Sequence, residues 1–164
     1  MSMAGNGGGL LRTYCDLSQT YAQSYRSARG AHLITREGRK ILDGWSGAMN
    51  ANLGHGNAAV ARYLAEQAQG LSSLPAFSEE CSEACLQLAA KLKRLLAPGV
   101  GRTTFCSSGS EAVETALALV RTYWNALRRP EKRLFLSLDA SYHGCTLGAL
   151  ALTGRGDSAL DVRD

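Results

Sequence analysis

The feature that most constrains the fold is a strand-like segment, a short serine-rich loop, a helical pattern and a second strand-like segment, in that order. Residues 102–106 and 134–138 are short and rich in apolar, aromatic or β-branched side chains. Between them, apolar side chains recur on one helical side at Ala112, Ala116, Leu119, Val120 and Tyr123. This order predicts a right-handed βαβ unit, and therefore an α/β core with a parallel sheet.

The first half of the chain carries local turn and helix signals. Residues 32–34 and 40–42 flank the polar stretch 36–39, which predicts a hairpin. Residues 43–56 contain four glycines, as expected of a loop with unusual backbone angles. The spacing of apolar residues predicts a helix from Asn57 to about Gly70.

A second helix is predicted to begin at a Ser78 cap and to stop at Pro98-Gly99. Its expected buried stripe consists of Cys81, Cys85, Leu88, Leu92 and Leu95.

Composition limits the class of protein. With 164 residues and 45% hydrophobic content the chain is long enough to bury a core. The net charge is +4, and its densest basic cluster, around Pro130, is expected to be a solvated loop rather than a nucleic-acid site. The five cysteines show no disulfide or metal-ligand spacing, which indicates reduced thiols. No apolar run approaches the roughly 20 residues that cross a bilayer, and the start lacks a signal peptide, so we expect a cytoplasmic protein without a membrane span. The glycines at 5 and 7–9 predict a flexible start.

The loop Ser107-Ser108-Gly109-Ser110-Glu111-Ala112 lies where a strand gives way to a helix. The amino end of a helix offers unpaired backbone N–H groups and a partial positive charge, and both favour a phosphate. Gly109 would let such an anion approach the backbone. Ser108 and Glu111 also match a capping box, so a well-capped helix without a ligand is the alternative.

A second loop, Ser141-Tyr142-His143-Gly144, directly follows the second strand-like segment. Because the carboxyl ends of parallel strands face one crevice, this loop and the serine loop can flank a single ligand. Tyr142 could stack on a flat ring whose phosphate is bound at the serine loop. The alternative is that Tyr142 and His143 only pack the loop, and His143 could hold it by a hydrogen bond as readily as transfer a proton.

Four motifs in this order are similar to those of the class III aminotransferases. Behind the leader 38–43 they are Ser46-Gly47, Gly54-His55, residues 108–112, and residues 142–144 with Thr146. The similarity runs from about Gly30 to Gly154. It implies a fold type I enzyme that binds pyridoxal 5'-phosphate: a large domain with a mostly parallel sheet, a small domain built from both chain ends, and a homodimer with active sites at its interface.

The resemblance also assigns residues. Gly109 and Ser110 would donate backbone hydrogen bonds to the cofactor phosphate, Tyr142 would stack on the pyridine ring, and His143 would lie in the same cofactor-binding loop. The positions that line the family's substrate pocket are Trp45, Ala48 and Met49. The implied division is a flexible start and amino-terminal segment at 1–29, a hairpin and pocket loop of the small domain at 30–56, and an incomplete first part of the large domain at 57–164.

The family's Schiff-base lysine falls beyond the last residue of this sequence, and none of the four lysines present matches it. We therefore expect the chain alone to be inactive, whereas the complete enzyme would move an amino group from an amine or amino acid to an oxo acid. The family also includes aminomutases, racemases, decarboxylases and phospho-lyases, which share the cofactor loop, so the loop alone does not identify the reaction. A non-catalytic homologue that binds a partner subunit or a phosphorylated ligand, and an unrelated phosphate-binding module, remain as alternatives.

Overall fold

The computed structural model describes residues 23–74 and 79–154, which fall into two units, Met1–Gln87 and Leu88–Asp164. The expected flexible start and the Ser78 cap lie outside the described residues.

The first unit is built on a three-stranded antiparallel sheet. Its strands are β1 (Tyr25–Arg29), β2 (His32–Thr35) and β3 (Lys40–Leu42), in the order β1-β2-β3. The register places Leu33 opposite both Ala28 and Ile41. The turn between β2 and β3 closes with Gly38 at φ 89°, so the predicted hairpin is confirmed.

Two regular helices and one unusual turn follow the sheet. The turn α1 (Ser46–Met49) leads to α2 (Ala58–Gly70), which begins where Asn57 Oδ1 accepts the N–H groups of Ala59 and Val60 at 3.1 and 3.2 Å. The predicted helix from Asn57 to Gly70 is confirmed.

The next helix, α3 (Glu83–Leu95), begins later than its sequence pattern indicates. The Ser82 hydroxyl accepts the N–H of Cys85 at 3.2 Å, so Ser82 caps the helix and Cys81 lies outside it. Glu83 in the first turn and Arg94 in the last complement the helix dipole.

In the second unit, α4 (Gly109–Ala126) packs against α5 (Leu147–Leu152). The buried residues here are Gly144, Ala149, Leu150 and Thr153. This contact fixes the two loops that precede α4 and α5, and it is the part of the fold that positions a site.

The structure differs from the sequence prediction at the two expected parallel strands. Among the described residues, neither 102–106 nor 134–138 pairs with another strand. Residues 134, 136 and 138 alternate as on one face of a strand, but all three leucines are exposed, Leu136 by 99%. Strand structure depends on hydrogen bonds from a neighbouring strand, and neither segment has such a neighbour in the described residues.

The predicted burial of the α3 stripe is also wrong: Cys81, Leu88 and Leu95 are exposed, and Cys85 and Leu92 are only half-buried. Apolar side chains of α2 and α4, among them Val60, Leu64 and Leu119, are exposed as well. The periodicity correctly located helices, but an amphipathic pattern does not specify what covers the apolar face. None of the helices in the described ranges is long and apolar enough to cross a membrane.

Candidate functional site

The serine loop forms a capped helix start. Ser108 has extended backbone angles, and its Oγ accepts the N–H of Glu111 at 3.2 Å. In a capping box the Glu111 side chain would accept the N–H of Ser108. Here Glu111 Oε2 accepts the N–H of the preceding residue, Ser107, at 2.9 Å. The loop is therefore held in place from within the chain.

The cap leaves the first two helical N–H groups available. In the part of the chain that the structure describes, no hydrogen bond engages the backbone N–H of Gly109 or of Ser110. A β-carbon built on Gly109 would meet nothing within 4 Å, so the space beside it is open. Two free donors at the positive end of an 18-residue helix suit a phosphate. Capping and anion binding are compatible here, because they use different N–H groups.

The second loop is joined directly to this helix start. Ser110 Oγ accepts the N–H of Cys145 at 3.0 Å. Gly144, at φ 137°, is buried against Ser110, and a β-carbon on Gly144 would stand 2.5 Å from Ser110 Oγ. Since that space is filled, position 144 must be glycine for the loops to approach in this way. The Ser110 hydroxyl therefore binds the neighbouring loop, while the Ser110 backbone N–H remains available to a ligand.

Tyr142 and His143 lie just before this junction. The Tyr142 side chain is 61% exposed, so an aromatic face is presented on the loop that adjoins the helix start. The backbone N–H of His143 donates to Thr153 Oγ1 at 3.0 Å. Thr153 Oγ1 in turn donates to the carbonyl of Ala149, also at 3.0 Å. The loop is therefore attached to α5 through the backbone of His143, and residue 143 is half-buried.

Glu114, which the sequence reading did not single out, connects α4 to α5. Its Oε1 accepts the N–H of Gly148 at 2.8 Å, at the amino end of α5. The nearby Thr146 hydroxyl, then the N–H groups of Gly148 and Ala149, hold the pKa of the Glu114 carboxyl below its ordinary value. Thr146 Oγ1 is buried and makes no hydrogen bond of good geometry within the described residues. The available signal was spacing: Glu114 is four residues after Ser110 and hence on the same helix face.

In the first unit, α1 is a turn of left-handed helix. Ser46, Gly47, Ala48 and Met49 have φ values of 53°, 55°, 57° and 67°. Each non-glycine residue in this region costs about 1–2 kcal/mol. Strain of this kind persists only where the surrounding structure over-determines it, and it clusters at functional sites.

Asp43 braces the turn. Its carboxylate accepts the N–H groups of Trp45 at 3.2 Å and Gly47 at 2.8 Å, and His55 Nε2 lies 2.7 Å from Oδ2. An ionised carboxylate only accepts, so His55 Nε2 carries the proton. The bond from His55 is the main cause that lowers the pKa of Asp43, whose side chain is only 8% exposed. Asp43 belongs to the leader 38–43, and its spacing from His55 in the sequence does not indicate that the two side chains pair.

The three expected pocket residues all belong to or adjoin this turn. Trp45 is 70% and Met49 72% exposed, and Ala48 is also exposed. A cleft of about 560 Å³ lies nearby, lined by residues of 50–57 together with Val60, Ala61 and Leu64 of α2. Its lining does not include Trp45, Ala48 or Met49. All three residues lie on the turn or beside it and are exposed to solvent.

Comparison with known proteins identifies the class to which this fold and these loops belong. The model of the family "Aminotransferase class-III" matches residues 16–161. An uncharacterized aminotransferase of Bacillus subtilis, YodT, is 43% identical over 140 residues, which is 85% of this chain and 31% of that protein.

Solved structures agree. A transaminase from the marine bacterium Virgibacillus superposes with a TM-score of 0.86 at 29% identity, over 89% of this chain and 34% of that one. The omega transaminase of Pseudomonas jessenii in complex with PMP superposes with a TM-score of 0.86 at 26% identity, over 92% and 34% of the respective chains.

The chain belongs to the class III aminotransferase family, and the predicted α/β fold of type I is confirmed. It spans about a third of the length of the relatives that it matches.

Proposed function

We propose that this protein forms the phosphate-binding part of a pyridoxal 5'-phosphate-dependent aminotransferase, which moves an amino group from an amine or amino acid to an oxo acid. The observation that carries the proposal is the open helix start at Gly109 and Ser110, joined by Ser110 Oγ to the loop that bears Tyr142. The residues present fit the cofactor, because two free N–H donors and an exposed aromatic ring adjoin one another. The P. jessenii relative was solved with PMP.

Each residue has a distinct part in this proposal. The N–H groups of Gly109 and Ser110 bind the phosphate, and the α4 dipole stabilises its charge. Tyr142 covers one face of the ring, and His143 holds the loop through its backbone. When bound, the cofactor supplies the carbonyl that accepts the amino group and a ring that delocalises negative charge.

Substrate choice is assigned to the left-handed turn. Trp45, Ala48 and Met49 would line the substrate pocket, as the family resemblance implies, with Asp43 holding the turn that presents them. We further propose a cytoplasmic homodimer. Four cysteines, at 81, 85, 106 and 145, are free thiols, which suits a reducing compartment.

The family's Schiff-base lysine has no counterpart here, so the chain alone is proposed to be inactive. Lys132 follows the carboxyl end of α4, and an 18-residue helix is about 27 Å long, so Lys132 is far from the serine loop.

The test is a calorimetric titration of the chain with inorganic phosphate and, separately, with pyridoxal 5'-phosphate. A side chain at Gly109 would occupy the open space, so Gly109→Val should abolish binding of both. Gly101→Val is the matched control, because Gly101 is likewise open and has no positive φ. Equal affinities in folded Gly109→Val and Gly101→Val would refute the proposal and leave a capped helix without a ligand.

A further inference from the structure

The helix α5 provides one attachment of the Tyr142 loop, in addition to the hydrogen bond between Ser110 Oγ and the N–H of Cys145. Thr153 Oγ1, just beyond the carboxyl end of α5, accepts the backbone N–H of His143 at 3.0 Å. Thr153 also bonds back to Ala149 within the helix, so it moves with α5. Any displacement of α5 relative to α4 is therefore passed to the residue next to Tyr142.

Glu114 is the side chain that fixes α5 against α4. It accepts the N–H of Gly148 at 2.8 Å, where a helix has unpaired donors and a carboxylate is favoured. The fit is close: a β-carbon on Gly148 would stand 2.5 Å from Glu114 Oε2. The contact joins residues 34 apart in the chain, so it is a tertiary contact and not a consequence of local helix geometry.

The serine loop does not depend on this contact. Its cap is formed by Ser108 and Glu111, and the two free N–H groups belong to Gly109 and Ser110. Loss of the Glu114 carboxylate would thus leave the phosphate donors and the Ser110–Cys145 hydrogen bond in place, while removing the contact that fixes α5 and, through Thr153, the residue next to Tyr142.

We propose that Glu114 is a positioning residue that holds the Tyr142 loop against the phosphate loop, and so governs binding of the cofactor ring but not of its phosphate. The proposal rests on the function proposed above. In this proposal one side chain of α4 aligns two loops that are separate motifs in the sequence.

The experiment compares two ligands across matched variants. Inorganic phosphate reports on the serine loop alone, whereas pyridoxal 5'-phosphate reports on both loops. Glu114→Gln keeps an oxygen acceptor but loses the charge, and Glu114→Ala loses both. Glu66→Gln, at an exposed carboxylate of α2, controls for the charge change. Thr153→Val breaks the attachment to His143 without changing Glu114, and it replaces a buried side chain with one of similar shape.

The expected result is a selective loss. Phosphate affinity stays within about twofold in every variant, while affinity for pyridoxal 5'-phosphate falls about fivefold to tenfold in Glu114→Gln and further in Glu114→Ala, as the loss of a charge-assisted hydrogen bond implies. Thr153→Val shows the same selective loss, and Glu66→Gln matches the unmodified chain.

Four outcomes overturn the proposal. Unchanged cofactor affinity in both Glu114 variants would remove the positioning role. An equal loss for both ligands, or a fold lost in Glu114→Gln with no selective loss in Thr153→Val, would make Glu114 a structural residue only. Failure of the unmodified chain and of Glu66→Gln to bind either ligand would instead sink the proposed function, and this inference with it.

Discussion

Substituting Gly47 by alanine tests the left-handed turn that presents the expected pocket residues. Gly47 has φ 55° and ψ 47°, and an added β-carbon would stand 3.7 Å from Ala51 Cβ and from His55 Cε1, which are ordinary contacts. The substitution therefore causes no clash, and its effect is that of backbone strain alone. Left-handed geometry costs alanine about 1–2 kcal/mol, and the reduced entropy of the unfolded chain returns about 0.4–1 kcal/mol. The turn should lose about 1 kcal/mol, which is about a fivefold rise in its open population.

The assay is amide hydrogen exchange at residues 50 and 51, whose N–H groups both donate to the carbonyl of Ser46. Exchange at these two amides should be about fivefold faster in Gly47→Ala. Gly44→Ala is the control, because position 44 has no positive φ and nothing lies within 4 Å of its added β-carbon. If Gly47→Ala exchanged no faster than Gly44→Ala, the turn would not be left-handed at residue 47, and the strain assigned to it would be wrong.

Two further predictions concern charge and apolar surface. The pKa of Asp43 is lowered from its ordinary value of 3.8, mainly by His55, so its stabilisation of the turn should be fully present above that value and be lost as the pH falls through the lower folded pKa. Emission of Trp45 in a Trp124→Phe background should show this transition below pH 3.8, and Asp43→Asn should abolish it; a transition that persists in Asp43→Asn would assign it to another group. The exposed leucines of 134–138 should make the chain bind an apolar reporter dye and aggregate, and Leu136→Lys should reduce both. A dye-negative, monodisperse unmodified chain would contradict this.

Features with local causes could be predicted from the sequence. The α2 helix follows from an Asn57 side chain that caps its own first turn, and the hairpin follows from a glycine that tolerates positive φ at residue 38. The Ser108 cap is likewise formed within four residues. In each case the residues that determine the conformation are neighbours in the chain, so the pattern carries nearly all of the information.

Features with distant causes could not be predicted in this way. Ser46, Ala48 and Met49 have no preference for left-handed geometry, and the turn depends on Asp43 and on His55, which are 12 residues apart. The strand β1 reads Tyr-Arg-Ser-Ala-Arg and lacks an apolar alternation, so its side chains do not indicate a strand. The strand forms by backbone pairing with β2, which follows it in the chain.

The same distinction explains the candidate site. Each loop could be located from its own residues, since a serine cap and a glycine-rich turn are local signals. The junction between Ser110 and Cys145 spans 35 residues, and the Glu114 contact with Gly148 spans 34, so neither could be read from spacing along the chain.

The buried seat of Gly144 against Ser110 limits how this protein can be re-engineered. Position 144 has no room for any side chain, and a larger side chain at 110 would press on the same spot. A mutant library that varies the loop at 144 and the helix start at 110 independently would therefore consist largely of variants in which the two segments cannot pack together. Diversity is better placed at Trp45, Ala48 and Met49, which are exposed to solvent.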